Sequence, residues 1–289
     1  MMQRKDLLHM LVAYVVVIVG GYAAVSYLDE GLLMNGFWAD IIGTVIIFAF
    51  SRLYKNSTFY DAYWSVIPPL LAFYWACAYA GGGADVGRQA MVLGLVLFWG
   101  IRLTANWAIY WPGLHHEDWR YAPIKENAGK AEFFADFAAI HLFPTLIVFA
   151  ACLPIYASVG MEGRALNWLD GLAFLFTFSA ILIELIADVQ LHTFTLTKKP
   201  GEIMQSGLWR YSRHPNYFGE FGFWFGLMLF GLAANPQAWW WIVPGAAAML
   251  LMFIFVSIPL LDDRSKERRP DYAEHMEKVS AFVPWFSKL

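Results

Sequence analysis

Charge and cysteine are both scarce in this 289-residue chain: 15% of residues are charged and only two are cysteine. A chain that is 59% hydrophobic cannot cover a soluble globule with polar surface, so an ordinary soluble domain is excluded. Cys77 and Cys152 both fall in apolar runs and read as buried thiols, so no disulfide framework is expected. Common catalytic signatures are missing as well. There is no H-E-x-x-H, no G-x-S-x-G and no G-x-G-x-x-G. That removes zincin chemistry, a nucleophile elbow and a Rossmann turn. His115 and His116 are adjacent rather than helically paired, and no metal site is expected. Gly81, Gly82 and Gly83 read as a turn, because no Lys-Ser or Lys-Thr pair follows them.

What the chain has instead is apolar blocks of membrane-spanning length, roughly 17 to 25 residues each. They cover 7–27, 37–54, 62–80, 90–110, 134–157, 167–191, 217–233 and 239–261, the last two split only by Ala234 to Gln237. The expected fold is all-α: a polytopic membrane helix bundle of seven or eight spans with both termini cytoplasmic. The sidedness of charge supports it. Seventeen of the twenty Lys and Arg fall in one set of loops and tails. Only Arg88 and Arg164 fall in the other set, and Arg102 lies inside a span. The positive-inside rule makes the rich side cytoplasmic. The first span follows Arg4 and Lys5 but is too long for a signal peptide, so it is expected to be retained. Trp239, Trp240 and Trp241 read as an interfacial belt.

Three cytoplasmic segments are richer than connectors need to be: 111–132, 192–216 and the tail from 262. The second ends in G-L-W-R-Y-S-R-H-P-N-Y-F-G-E, Gly207 to Glu220. Cations and amide donors at the mouth of a membrane helix suit an anionic cofactor. Glu184, Asp188 and His192 stand at i, i+4 and i+8, one stripe of a helix. Ionisable groups at that depth need a protein interior or an aqueous cavity. Arg102 is their natural partner on charge grounds, with Asn106 one turn on. Glu220 is a second deep carboxylate, with Trp224 one turn beyond it. Tyr60, Asp61, Tyr63 and Trp64 open the third span; a phenol supplying a proton and a carboxylate holding it would make an acid pair. His141 reads as a helix–helix hydrogen bond.

The stretch K-P-G-E, Lys199 to Glu202, followed by S-G-L-W-R-Y-S-R-H-P-N-Y-F-G-E, resembles the C-terminal domain of the steroid 5α-reductase family. It looks closest to that family's bacterial branch, once described as a domain of unknown function. E-D-W-R-Y (Glu117 to Tyr121) and E-R-R-P-D-Y-A-E-H with S-A-F-V-P-W-F in the tail are similar to that branch too. The resemblance covers residues 60 to 289. It implies a multi-helix membrane oxidoreductase of a bacterial inner membrane, or of the endoplasmic reticulum in a eukaryote. Such enzymes use NADPH to reduce an α,β-unsaturated ketone, typically a 3-oxo-Δ4 steroid. It also implies a catalytic domain at 36–289 preceded by an extra N-terminal transmembrane helix within 1–35.

Carried over position by position, the resemblance puts Asp188, Asn216, Glu220 and Trp224 on the family's motif. Glu184 stands where the family has Asn. Lys198 or Lys199 matches the basic residue before P-G-E, and Arg120 matches a phosphate-binding Arg. The expected cofactor set is Arg120, Tyr121, Glu184, Asp188, His192, Lys198, Lys199, Trp209, Tyr211, Arg213, His214, Asn216, Glu220, Arg264 and Arg268. Tyr60, Asp61, Tyr63, Arg102 and Glu220 form the expected catalytic set, with Trp64, Asn106 and Trp224 toward substrate. The family binds the ketone oxygen with a Glu on one helix and a Tyr on the next. Here Asp61, Tyr60 or Tyr63 stand on the first, and Arg102 and Asn106 on the next. The expected partners are a lipid-soluble enone and the bilayer, without nucleic acid, for a monomer. Two other readings are open: an isoprenylcysteine-type methyltransferase using S-adenosylmethionine, since R-H-P-x-Y-x-G runs occur there, and a non-catalytic sterol or lipid binder.

Overall fold

Helix ends in this chain follow from local chemistry. Asn167 caps one helix through its side chain, and Asp170 returns a bond to the Asn167 amide, a reciprocal box. Pro215 opens another at its first position, where a missing N–H costs nothing. The computed structural model describes residues 4–288, and among them every regular helix or strand element is helical. In chain order these are α1 (Arg4–Tyr27), α2 (Leu32–Tyr54), α3 (Tyr63–Ala78), α4 (Val86–Tyr110), α5 (Tyr121–Ala128), α6 (Glu132–Ala135), α7 (Phe143–Val159), α8 (Trp168–Thr197), α9 (Pro215–Ala234), α10 (Trp239–Met252), α11 (Ile258–Arg268) and α12 (Tyr272–Lys278). Short 3₁₀ and π turns join several of them, so 121–159 and 236–268 are near-continuous helical runs.

Among the described residues, seven helical runs are long and apolar enough to cross a membrane. α3 is shorter, at 16 residues, which is about 24 Å of helix. It still runs between the two ends of the bundle. Asp61, just before it, accepts from Tyr121, and Gly83, just after it, lies against Glu162. The buried 3₁₀ turn Ser57–Tyr60 extends the crossing at its start. Both ends of the chain reach the basic end of the bundle: Leu114 N–H donates to Asp6, and the Arg264 guanidinium lies 3.7 Å over the Trp119 ring. The opposite end is stapled by Arg88, fully buried, which holds Asp170 with two bonds at 2.7 and 2.8 Å and also donates to the Arg164 carbonyl.

One expectation changes and another holds. Cys77 is exposed on the outside of α3, and only Cys152 is buried. α1 buries Met10, Ala13 and Val17 in the same core as α3. His141 bonds Ser51 of α2 at 3.0 Å, the helix–helix link expected of it; a π turn over Asp136–Leu142 turns both Asp136 and His141 inward.

Candidate functional site

α8 and α9 lie side by side because α9 presents glycine to α8. A Cβ on Gly219 would sit 2.7 Å from Glu184 Cβ and 2.8 Å from the Ala180 carbonyl oxygen. One on Gly222 would sit 2.8 Å from Ala180 Cβ. Small residues at this spacing let membrane helices approach closely. The approach brings Glu220 of α9 beside Glu184 of α8, and α4 closes the third side. Arg102 Nη1 donates to Asp188 Oδ2 at 2.9 Å, and Nη2 lies 2.6 Å from Glu184 Oε2 outside hydrogen-bonding direction. Asn216 donates to the other Asp188 oxygen at 3.4 Å. Glu220 accepts one indole N–H from Trp99 and one from Trp224, each at 2.8 Å. Phe223 stacks on Trp99 at 4.4 Å and completes an aromatic wall.

This is a costly arrangement. One guanidinium faces three carboxylates inside a helix bundle, where Arg102, Glu184 and Glu220 are all at least nine-tenths buried. Arg102 Nε has no acceptor among the described residues. Toward the basic end, Trp107 of α4 and Trp111 just past it stack at 5.1 Å, and neither indole N–H has an acceptor in hydrogen-bonding geometry among the described residues, although Trp107 faces the Asp61 carboxylate. From Arg102 to Trp111 is about 14 Å along the helix.

A second pair lies next to Trp107. The Tyr121 hydroxyl donates to Asp61 at 2.6 Å. Beside it Arg120 forks onto Asp118 at 2.8 and 3.0 Å, and the pairing holds the Asp118 carboxyl below the usual range although burial pushes it up. His192 ends the α8 stripe against the Tyr110 ring, 4.1 Å away. Lys198, Lys199 and Arg268 are exposed at this end and form no ion pair with the described residues.

The structure divides the expected residues. It joins Arg102, Glu184, Asp188, Asn216, Glu220 and Trp224 in one cluster, and puts Asp61, Trp64, Tyr121 and Arg120 along the neighbouring face. Trp64 packs near Trp99 at 6.1 Å. Asn106 is half-buried and makes no hydrogen bond with its side chain among the described residues. Tyr60 and Tyr63 are elsewhere. Tyr60 bonds Thr145 of α7 at 2.9 Å and Tyr63 bonds Asp40 of α2 at 2.9 Å, so neither phenol reaches the acid pair expected with Asp61.

Arg213 and His214 also do a different job from the one expected. Arg213 holds Asp262 through Nε and Nη2 at 3.2 and 2.7 Å, and Nη1 caps the Met276 and Val279 carbonyls. His214 Nε2 lies 3.0 Å from Asp262, and Tyr272 donates to the same carboxylate at 2.8 Å. With four of five guanidinium donors engaged, this cluster fastens the tail. Trp209 is likewise structural, donating to the Ala187 carbonyl, while the Tyr211 carbonyl accepts from Trp285.

Sequence reasoning missed Trp99, Trp107, Trp111, Asp118 and Asp262. The indoles sit in or beside an apolar span, where tryptophan reads as lipid-facing. Trp99 stands three residues before Arg102, nearly one turn away, and that spacing is the signal available for it.

Comparison with known proteins adds the following. No solved structure matches. An uncharacterized protein of Schizosaccharomyces pombe is 26% identical over 281 residues, covering 88% of this chain and 78% of the relative. The family described as "Protein of unknown function (DUF1295)" matches residues 47–279, which takes in α3 to α12 and both clusters. The chain belongs to that family.

Proposed function

We propose that this is a membrane oxidoreductase that uses NADPH to saturate the C=C bond of a lipid-soluble enone, with a 3-oxo-Δ4 steroid going to its 5α-dihydro product as the substrate to test first. The observation that carries the reading is a row of donors on α4 and at its end. Arg102 Nε and Trp111 Nε1 are buried without acceptors among the described residues, and Trp107 Nε1 between them faces Asp61 without a well-formed bond; a buried donor without a partner is costly. A dinucleotide is long and rich in acceptors, and it fits that row. Asn216 and Glu220 would hold its carboxamide end. Arg120, Arg264, Arg268, Lys198 and Lys199 would face its phosphates, with Arg favoured where two parallel bonds form.

When bound, the nicotinamide supplies the hydride that goes to the β-carbon of the enone. The chain does the rest. Tyr121 and Asp61 are the carboxyl–phenol pair of the chemistry that the resemblance calls for, in place of Tyr60 and Tyr63. The Tyr121 hydroxyl would turn its single proton from Asp61 to the ketone oxygen and polarise it, while a protonated Asp61 would donate to the phenol oxygen and orient it. The α-carbon then takes a proton from water at the basic end. Trp64, Trp99 and Phe223 keep water from the deeper end.

The test is purified protein in lipid nanodiscs with NADPH and a panel of 3-oxo-Δ4 steroids. Steroid-dependent loss of NADPH absorbance with a 5α-dihydro product supports the reading. Absence of both across the panel rejects the substrate class. Thermal shift with NADPH and with S-adenosylmethionine separates a reductase from a methyltransferase.

A further inference from the structure

The other half of the bundle contains a polar group that the reductase reading does not use. α1, α2 and α3 enclose a groove of about 490 Å³ that opens toward the lipid. Its walls are apolar, with Val17 and Gly21 from α1 and Ile67 and Leu71 from α3 among them. Asp40 of α2 also lines it and is only 3% exposed. Asp40 Oδ1 accepts from the Tyr63 hydroxyl, which the close approach at Gly43 accommodates. Asp40 Oδ2 has no hydrogen-bond partner among the described residues. A carboxylate oxygen without a donor, on a residue almost wholly buried but lining an apolar groove of ligand size, is a built acceptor.

We infer that this groove binds an apolar alcohol, a lipid whose only polar group is a hydroxyl, which donates to Asp40. Depth selects this class. Asp40 is eight residues into α2 from the end opposite the basic face, about 12 Å below it. A phospholipid cannot lower its headgroup that far, and a fatty acid would bring a second carboxylate against Asp40. An ammonium would have to shed more hydration than a hydroxyl. A ketone offers only an acceptor, so the groove discriminates against the enone of the proposed reaction. Sites built around a hydroxyl reject analogues lacking it.

The experiment uses the full chain in phosphatidylcholine nanodiscs without NADPH. A saturated 3β-hydroxysterol and hexadecanol are each compared with the matching ketone or alkane by native mass spectrometry and thermal shift. The alcohols are expected to bind about tenfold more tightly than their counterparts, and Asp40→Ala to remove that preference. Leu70→Trp gives a second arm if Asp40→Ala does not fold, because Leu70 lines the groove and is 39% exposed, so its replacement fills the space from the lipid side. It too should abolish alcohol binding. Equal binding of alcohol and ketone, tighter binding of a long-chain amine, or unchanged binding in a folded variant overturns the inference. NADPH-induced shifts should be the same in both variants, so failure here is distinct from failure of the reductase reading.

Discussion

Two arginines organise the two halves of the family-matched core, and they are used in opposite ways. Arg213 at the basic end meets a single carboxylate with two bonds, and the rest of its fork is taken up by the Met276 and Val279 carbonyls. Asp262 in return receives His214 and Tyr272. Arg102 in the helix interior meets two carboxylates, one of them off-axis, leaves Nε without an acceptor, and has a third carboxylate, Glu220, nearby. A buried charge that is fully satisfied fixes one structure; a buried charge left partly unsatisfied has room for a ligand. Read along the chain, both arginines carry the same weight. Only the partners separate fastening from chemistry.

The largest effect expected from this contrast is on stability. Arg213→Ala leaves Asp262 with His214 and Tyr272 but without its guanidinium partner, and a broken buried pair costs about 3–5 kcal/mol. A lowered melting temperature and new protease cleavage after α11 would be the readout. Unchanged stability with lost NADPH affinity would instead make the tail cluster a ligand site and erase the distinction. Next come the chemical groups. Glu220→Gln and Tyr121→Phe should each lower steroid-dependent turnover about a hundredfold while the protein stays folded, in line with loss of a positioned charge or acid. Circular dichroism with NADPH turnover checks both, and full activity in either variant would remove that residue from the proposed mechanism.

Packing tests follow. Gly219→Ala pushes a methyl into Glu184 and the Ala180 carbonyl, and overpacking of this kind costs about 1–3 kcal/mol. It should also weaken the NADPH-induced thermal shift, because Glu184 and Glu220 can no longer stand side by side. A neutral outcome on both counts would show that the close approach is unnecessary. The smallest effect expected is with pH. Burial pushes the His275 pKa below its ordinary value. The released tail therefore takes up a proton that the docked tail refuses, and docking weakens as pH falls below about 6.5. Protease sensitivity of the tail, followed from pH 7.5 to 5.5, should rise on acidification and stay level in His275→Gln.

Parts of this were legible without coordinates. Apolar block length and the uneven distribution of Lys and Arg fix the passes and place both ends of the chain on one side. α3 was legible as the apolar block 62–80; what only the structure shows is that its helix is 16 residues long and follows a buried 3₁₀ turn. The Arg102, Glu184 and Asp188 association could be read because a membrane interior leaves so few partners for a charge. Tyr60 and Tyr63 could not be assigned, since proximity to Asp61 in sequence says nothing about where each phenol ends: the rings stack on each other, yet one hydroxyl reaches Thr145 of α7 and the other Asp40 of α2.

The sequence by itself determined that this is a polytopic helical membrane protein with a basic face and a few charges held in its interior. Those conclusions rest on transfer free energy, which is a property of composition and order along the chain. Tertiary structure alone decided that Arg213 fastens a tail, that Asp61 pairs with Tyr121, that Trp99 grips Glu220, and that Asp40 looks into a groove. Each of these depends on contacts between helices far apart in sequence, and helix rotation and approach are set by glycine faces and side-chain volumes summed over the whole bundle.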